Sequence, residues 1–273
     1  MTEVVYVGID VAFAKNKKLP VCVCRSGVDR LQPIPLAAPE FPLPPVGRGN
    51  AATIDNKQVQ AFAHQTLEYL RAVEEAADVS VSVVAIDASR SYRVGRRRAC
   101  EQAMGGMGIH CFATPSRQQF EEIRVKVKHH LERGGALNRL PHSHQLWMLV
   151  GFALFDVLSK HYQCLEVFPQ AIASVLGAAA IHKSKAQGYQ QQVSTLASDT
   201  GWGAEELNRQ LGDSVYGPRH DRLDAYMCAW VASLYPDGVE ACGDPPDDVI
   251  WVPSLGHDSR CDEMGSDRHR QTE

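Results

Sequence analysis

The chain has 273 residues, of which 44% are hydrophobic and 22% charged, and these values are ordinary for a globular protein with one large α/β domain or two small ones. The formal net charge of −4 gives none of the overall basic character that is typical of proteins that coat nucleic acid. Residues 1–10 lack a basic, apolar leader, and the longest apolar run, residues 146–158, falls short of the ~20 residues that span a bilayer. We therefore expect neither a secreted nor a membrane protein.

The N-terminal part of the chain is predicted to be a β-meander followed by a loop. Residues 4–10, 19–25 and 31–36 are short apolar segments set off by turn residues, and short connections favour antiparallel neighbours. Residues 33–50 contain six prolines. Because proline lacks the amide hydrogen that a helix or a central strand needs, this stretch is predicted to be a long surface loop.

The central part is predicted to be a helix, a strand and a long helical segment. Apolar residues recur at helical spacing from Val59 to Val73, which indicates one amphipathic helix. Residues 81–87 form a buried strand that ends in an acid. Residues 96–160 have mostly helical patterning, with breaks at paired glycines and at one proline. We interpret this last segment as a helical insertion.

The C-terminal part is predicted to contain two more strands and a late helix. Residues 162–168 form a strand that Pro169 ends. Residues 218–235 have the pattern of a helix, and residues 250–252 that of a last short strand. The chain beyond is polar, so residues 254–273 are predicted to be a disordered tail.

Two of the predicted strands end in the same short phrase. Gly8-Ile9-Asp10 closes the first strand, and Ala85-Ile86-Asp87 closes the strand at residues 81–87. An acid at the carboxyl end of a strand lies where α/β sheets form their ligand crevices. Taken alone, each aspartate is more often a turn or helix-cap residue. The phrase therefore indicates a site only together with further acids.

The late helix supplies two such acids on one face. Asp221 and Asp224 are three residues apart, and helical residues with this spacing are neighbours. Asp221 is explained by the positive end of the helix dipole. Asp224 lies at the edge of a predicted core stripe that includes Leu223 and Met227, where an acid needs a partner. We expect Asp224 to point into one cleft with the two strand-end acids, with Asp221 at its rim.

Several carboxylates can share a site when a cation neutralises them. Two like charges ~4 Å apart repel by about 4 kcal/mol at an effective dielectric constant of ~20. Mg²⁺ removes this repulsion and is usually held by a few carboxylates together with substrate phosphates. Two such ions ~3.5–4 Å apart can activate a water and stabilise the leaving oxygen of a phosphodiester. The residue types therefore suit metal-dependent phosphodiester hydrolysis.

Glu166 allows two interpretations. Leu165 and Val167 flank it in the predicted strand, so its side chain points to the opposite face from theirs. If that face carries the site, Glu166 is a further metal ligand or a substrate contact. Otherwise it is an acid on a solvent-facing side of the sheet.

Basic residues cluster within the predicted insertion. One cluster contains Arg96 and Arg97, and another contains Lys126 and Lys128. Either cluster alone fits a solvated helix face. If the chain binds nucleic acid, we expect these four residues to flank the acidic cleft and to contact phosphates.

The eight cysteines are not in the Cys-x-x-Cys spacing of zinc sites. Cys22, Cys24, Cys164 and Cys228 lie inside apolar segments, where cysteine acts as a small core residue. This usage indicates a reducing cytoplasm and no structural metal cluster.

With these residues identified, the chain resembles a family of predicted nucleases known as domain of unknown function 429. The matching phrases follow the family's order and span most of residues 4–235. They are VGID at residues 7–10, VAIDA at 84–88, RRRAC at 96–100, LEVFP at 165–169 and HDRLDA at 220–225. The family looks like ribonuclease H and the Holliday-junction resolvases, which have an acid on strand 1, an acid on strand 4 and a final helix with acids at i and i+3.

The resemblance implies metal-ligand roles for Asp10, Asp87, Asp221 and Asp224, with Mg²⁺ or Mn²⁺ as the ion. It also implies a ribonuclease-H-like α/β fold, with a mixed five-stranded sheet flanked by helices. We expect this fold to form a single domain over residues 1–253 with a helical insertion at about residues 96–160. The expected activity is that of a two-metal-ion nuclease, and the partner is nucleic acid, with DNA and RNA both open.

Two other functions fit parts of the pattern. Sugar kinases and actin-like ATPases share the three-strand opening, but they hold phosphates on a glycine-rich turn after the first acid, and residues 11–15 (VAFAK) lack one. A non-catalytic nucleic-acid-binding or scaffold module would keep the fold. It would leave the four aspartates dispersed or paired with Arg90, Arg93 or Arg222.

Overall fold

The structure is a computed structural model that describes residues 2–49 and 54–254, and it has an α/β fold built on one seven-stranded mixed sheet. The strands are β1 (Glu3–Asp10), β2 (Val21–Ser26), β3 (Leu31–Pro33), β4 (Val79–Asp87), β5 (Gln163–Val167), β6 (Val239–Asp244) and β7 (Asp248–Pro253). The helices are α1 (Asn56–Ala77), α2 (Ala99–Gly106), α3 (Arg117–Glu132), α4 (Ser143–Leu146), α5 (Met148–Leu158), α6 (Pro169–Val175), α7 (Ala186–Asp199), α8 (Ala204–Ser214) and α9 (Arg219–Leu234).

The strands lie in the order β3-β2-β1-β4-β5-β7-β6. Strands β1, β4, β5 and β7 run parallel to their neighbours in this series, whereas the β1–β2, β2–β3 and β6–β7 pairs are antiparallel. The carboxyl ends of β1, β4 and β5 therefore meet at one edge of the sheet. Asp10 and Asp87 are directly paired there.

The α/β class is confirmed, but the expected five-stranded sheet is too small. The segment at residues 250–252 belongs to the longer strand β7, and β7 pairs with β6, which the sequence did not indicate. Strand β6 (VEACGD) is an edge strand that is exposed or half-exposed throughout. It therefore lacks the apolar alternation by which a strand is identified in a sequence.

The sheet separates two apolar layers. Helices α1, α3 and α5 pack on one face, together with Ile9 and Ile86 of the central strands. Helices α6 to α9 pack on the other face, together with Ala85. Because side chains alternate along a strand, Asp10 and Asp87 point to the second face, one residue beyond the two isoleucines.

Helix α9 lies directly on β1, and Gly8 makes this possible. A Cβ atom at Gly8 would lie 1.9 Å from the carbonyl oxygen of Ala225 and 2.3 Å from the amide nitrogen of Ala229. The predicted apolar stripe on this helix is too narrow, because α9 is buried on nearly all sides from Leu223 to Ala232. Helices α7 and α8 cover the side that the prediction left to solvent.

The proline-rich stretch contains no helix or strand between residues 34 and 49. It is not a surface loop throughout, since Ile34 and Leu36 are buried in the core. Residue 50 lies outside the described residues, as does the predicted tail from residue 255 onward.

The segment predicted as a helical insertion lies between β4 and β5 and contains helices α2 to α5. Residues 107–116 within it have no regular secondary structure. None of the helices in the described part of the chain is long and apolar enough to cross a membrane.

Candidate functional site

The two strand-end aspartates are neighbours on the face of the sheet that α9 covers. Asp10 and Asp87 are paired across β1 and β4. Each lies two residues after a small residue, Gly8 or Ala85, on the same face. The backbone contact between Gly8 and α9 therefore brings the helix close to both acids.

Helix α9 adds Asp224 and Asp221 to this pair. Asp224 is only 4% exposed, whereas Asp221 is less deeply buried and lies 3.0 Å from Nε2 of His220. Burial raises the pKa of Asp10 well above its usual value, and the charges of Asp224, Asp87 and Asp221 raise it further. The four predicted acids thus meet at one edge of the sheet, with Asp221 on the outer side.

Crowding changes the protonation of these acids. Burial raises the pKa of Asp87 to about 7, with a further contribution from the charge of Asp224. Burial also raises the pKa of Asp224, although the ammonium of Lys183 opposes this shift. Burial and mutual repulsion therefore favour the protonated forms of these acids more than in exposed aspartates, and a nearby positive charge would oppose this shift.

Lys183 supplies one such cation, and the sequence did not indicate it. Its Nζ atom donates to Oδ2 of Asp224, and its side chain is only 21% exposed. The positive charge of Lys183 also opposes the upward shift in the pKa values of Asp10 and Asp87, which nevertheless remain raised. The aspartates are thus neither dispersed nor paired with the three arginines that the non-catalytic interpretation named, within the part of the chain that the structure describes.

The donor set fits a hard divalent ion, although the side chains are not yet arranged around one. Oδ1 of Asp224 is buried and has no hydrogen-bond partner, so one oxygen of this carboxylate lacks the partner that a buried acceptor needs. Carboxylate oxygens are the ligands that Mg²⁺ and Mn²⁺ prefer. Over residues 2–49 and 54–254, however, no group of three His, Cys, Asp or Glu residues is positioned to hold a metal ion. Binding an ion at the aspartates would therefore require side-chain movement, and the ion would compete with Lys183.

A comparison of the sequence with known protein families identifies the family of this chain. A family described as "Protein of unknown function (DUF429)" matches residues 8–248. The chain belongs to the DUF429 family. No curated protein and no solved structure matches this DUF429 chain.

Glu166 of this DUF429 protein lies on the other face of the sheet. It pairs with Ile86 on the neighbouring strand, and Ile86 packs in the layer opposite α9. Both of its carboxylate oxygens are engaged by Arg98, at 2.7 and 2.8 Å, and one also accepts the Arg90 amide at 2.8 Å. Glu166 is therefore held by Arg98 on the opposite face of the sheet from Asp10 and Asp87, and it is not a solvent-facing acid. Its charge still contributes to the raised pKa of Asp87.

Arg98 connects three parts of the DUF429 fold. Besides Glu166, its Nε atom donates to Asp248 at 3.1 Å. The carboxylate of Asp248 in turn accepts the amides of Ala99 and Cys100, at 2.6 and 3.4 Å, at the start of α2. Two of the family phrases, RRRAC and LEVFP, therefore meet in one buried ion pair, while the three aspartate-bearing phrases meet on the other face.

A cavity of about 250 Å³ lies at the carboxyl edge, between the sheet and the segment that follows β4. Asp87, Arg98 and Glu166 line it together with the aromatic residues Phe112 and Trp147. Asp87 therefore lines this cavity as well as lying beside Asp10.

The four basic residues predicted to bind substrate do not form one surface. Arg97 and Lys126 line a second cavity of about 400 Å³, which is called the basic cavity below. Lys128 lies two residues further along α3, about 200° around the helix, and pairs with Glu132 at 3.8 Å. Arg96 is exposed just before α2. Only Arg97 and Lys126 thus share a concave surface.

Arg97 lies between the two cavities. Its Nε atom is 3.5 Å from Oε2 of Glu101, and Glu101 lines the cavity that contains Asp87. Thr114, whose amide donates to Glu101 at 2.6 Å, lines the basic cavity. The basic cavity is therefore adjacent to the carboxyl edge of the sheet where the aspartates lie, called the acidic edge below.

Proposed function

We propose that this DUF429 protein is a metal-dependent phosphodiester hydrolase of the ribonuclease-H-like type that acts on nucleic acid. The observation that carries the proposal is the meeting of Asp10, Asp87 and Asp224 at the carboxyl edge of the sheet, where one oxygen of Asp224 is buried without a partner. An acid on β1, an acid on β4 and an i, i+3 pair on the last helix are the features that the family resemblance associates with such nucleases.

The residues that would hold Mg²⁺ or Mn²⁺ are Asp10, Asp87 and Asp224, with Asp221 at the rim. A bound divalent ion would lower the pKa of a water molecule and stabilise negative charge on the phosphodiester. The protein's own contribution is to hold the carboxylates in place, through the pairing of β1 with β4 and the contact of α9 with Gly8. Without a cation, the same carboxylates would repel a phosphate.

The adjacent basic cavity supports nucleic acid as the substrate. Arg97 and Lys126 line it, and cationic side chains bind phosphates and release counterions. Both DNA and RNA satisfy this chemistry. We propose that the protein acts in the cytoplasm, a reducing compartment in which thiols such as the cysteines of the described residues stay free.

The test is to compare wild type with Asp10→Asn. The amide keeps the shape of the side chain and removes its charge, so we expect phosphodiester cleavage with Mn²⁺ to be lost. Wild type should be stabilised by Mn²⁺, by about 2.7 kcal/mol when the free ion is at ~100 times its Kd, and the variant by much less. The metal-free variant should melt at or above the wild-type temperature, because one of several crowded acids is neutral.

Asp156→Asn is the matched control. Asp156 is exposed on α5 and pairs with Lys160, two residues beyond the end of that helix, at 3.4 Å, so its neutralisation should change neither cleavage nor the metal-induced rise in Tm. Equal stabilisation of wild type and Asp10→Asn by Mn²⁺ would exclude Asp10 as a ligand, and the nuclease proposal would then be wrong.

One observation favours a second candidate, a nucleic-acid-binding module without catalysis. The contact between Lys183 and Asp224 already gives the buried acids a cation, as a purely structural cluster would need. This candidate predicts binding of nucleic acid with no cleavage at any Mn²⁺ or Mg²⁺ concentration. It also predicts that Asp10→Asn leaves the affinity for nucleic acid unchanged.

The phosphotransferase alternative receives less support. The segment after the first acid contains Phe13, which is 1% exposed and packs edge-on against Phe62 with 4.9 Å between ring centroids. A segment anchored in the core in this way does not present the open backbone amides that cradle phosphates.

A further inference from the structure

Aromatic rings line the cavity that contains Asp87, which we call the aromatic cavity. The rings of Phe112, Trp147 and Phe168 line it, together with the imidazole of His110. Phe112 is 56% exposed, and its ring meets that of His110 edge-on, with 6.2 Å between ring centroids. An exposed aromatic side chain beside a cavity offers a surface on which another planar ring can stack.

The size and the position of the aromatic cavity suit one nucleobase. Sites for drug-sized ligands usually have ~300–1,000 Å³, and this cavity has about 250 Å³. It can therefore take a single ring system but not a run of nucleotides. Because Asp87 lines the cavity and pairs with Asp10 across β1 and β4, a base bound there would belong to a nucleotide close to the aspartates.

Several polar side chains that line the aromatic cavity already have partners within the protein. Arg98 and Glu166 bind each other, and the hydroxyl of Ser89 forms a hydrogen bond of 2.8 Å with that of Thr114. These hydrogen bonds fix the walls of the cavity and require no ligand.

Glu101, which also lines the aromatic cavity, has an oxygen without such a partner. Its side chain is buried, and Oε1 accepts the amide of Thr114 at 2.6 Å. Oε2 is buried and has no hydrogen-bond partner, since the Nε atom of Arg97 lies 3.5 Å away and forms no hydrogen bond with it. A buried acceptor without a donor is costly. A ligand that brings an N–H group to Oε2 would therefore be stabilised here.

We propose that the aromatic cavity binds one unpaired nucleobase that carries an amino group, such as cytosine or adenine. Its ring would stack on Phe112, and its amino group would donate to Oε2 of Glu101. A carboxylate accepts from the amino group of cytosine, whereas it repels the carbonyl oxygen that uracil has at the same position. That the base is part of a nucleic acid rests on the proposed function. Since aromatic side chains stack on bases of single strands and loops, the substrate would be unpaired beside the aspartates.

The test measures the binding of free nucleosides to the metal-free protein by NMR titration. Nucleosides have no phosphate, so their affinity does not depend on the basic cavity. Cytidine has an amino group where uridine has a carbonyl oxygen, and adenosine and inosine form a second such pair. We expect wild type to bind the amino-bearing member of each pair at least ~10-fold more tightly, because a hydrogen bond to a charged group is lost in the other member.

Glu101→Gln should reverse this preference. The glutamine keeps an acceptor oxygen for the Thr114 amide and places an NH₂ group where Oε2 lies, and this group donates to a carbonyl oxygen. An unfolded variant would bind neither member of a pair, so a reversal cannot come from a loss of fold. Equal affinity of wild type for both members of each pair would overturn the inference, as would an unchanged preference in folded Glu101→Gln.

Phe112→Ala tests the stacking surface and decides the matter if Glu101→Gln does not fold. It should weaken the binding of all four nucleosides by at least about fivefold and leave the preference within each pair unchanged. Leu137→Ala is the matched control, since Leu137 is 54% exposed and lines neither the aromatic nor the basic cavity. Equal affinities in the two variants would show that the bases do not bind on Phe112.

The failure of this inference can be separated from the failure of the proposed function. A preference for amino-bearing nucleosides without any cleavage of DNA or RNA would remove the nuclease proposal and keep the nucleobase site. Metal-dependent cleavage without any nucleoside preference would do the reverse.

Discussion

Arg98 holds Glu166 with both terminal nitrogens of its guanidinium, at 2.7 and 2.8 Å, although the two residues are 68 positions apart in the chain. Both side chains are about 6% exposed. Burial alone would lower the pKa of the Arg98 guanidinium, whereas the Glu166 carboxylate raises it. The net shift of this pKa is upward. The pair joins the segment after β4 to strand β5, and both residues line the cavity that also contains Asp87.

We expect Glu166→Gln to destabilise the protein by about 3–5 kcal/mol, because it leaves a buried guanidinium without its main partner. Urea unfolding at constant pH measures this loss. The double variant Arg98→Met/Glu166→Gln should lose less than the sum of the two single variants, since their effects are coupled.

The control for the buried pair is Glu132→Gln, which breaks the exposed ion pair with Lys128 and should cost less than about 1 kcal/mol. If Glu166→Gln were as mild as this control, the buried pair would not connect the segment after β4 to the sheet. If Glu166→Gln kept its fold but lost the stabilisation by metal ions, Glu166 would instead be a metal ligand.

Gly8→Ala should disturb the aspartate cluster through the backbone. The added Cβ would lie 1.9 Å from the carbonyl oxygen of Ala225, so α9 must move away from β1. Overpacking of this kind costs about 1–3 kcal/mol or more. Because α9 carries Asp224, we also expect weaker Mn²⁺-induced stabilisation, measured by thermal melting.

Gly105→Ala is the control for this substitution. Gly105 lies in helix α2 with no atom within 4 Å of an added Cβ, so alanine should be neutral or stabilise the helix by up to about 1 kcal/mol. Similar melting curves for both variants would show that the contact between β1 and α9 does not depend on Gly8.

The position of Asp10 and Asp87 was predictable from the chain because a repeated local phrase encodes it. Both acids follow a small residue and an isoleucine at the end of an apolar strand, and parallel strands align such ends. The alternation of side chains along a strand also predicts the orientation of Glu166. It lies one residue before the end of β5, whereas Asp10 and Asp87 are the last residues of β1 and β4. Its side chain must therefore point to the other face.

Lys183 could not be predicted in this way. It lies 41 residues before Asp224, in an irregular turn with a second lysine at position 185, and nothing local distinguishes the two. Only the packing of α7 against α9 selects Lys183. The sequence signal was indirect: several buried acids require a cation, and a search for that cation would have had to consider every lysine and arginine in the chain.

The last prediction concerns the basic cavity beside the acidic edge. Arg97→Ala/Lys126→Ala removes two cations that line one concave surface. If nucleic acid crosses this surface, the slope of log affinity against log salt should become shallower by about 0.7–0.9 for each phosphate that the variant no longer neutralises.

The control, Arg71→Ala/Lys128→Ala, removes two exposed cations that each pair with an acid on their own helix, and its slope should match wild type. Fluorescence anisotropy with a labelled oligonucleotide at several salt concentrations measures both. An unchanged slope in the first variant would remove this cavity from the binding surface, whereas equal changes in both variants would mean that the attraction is spread over the whole protein.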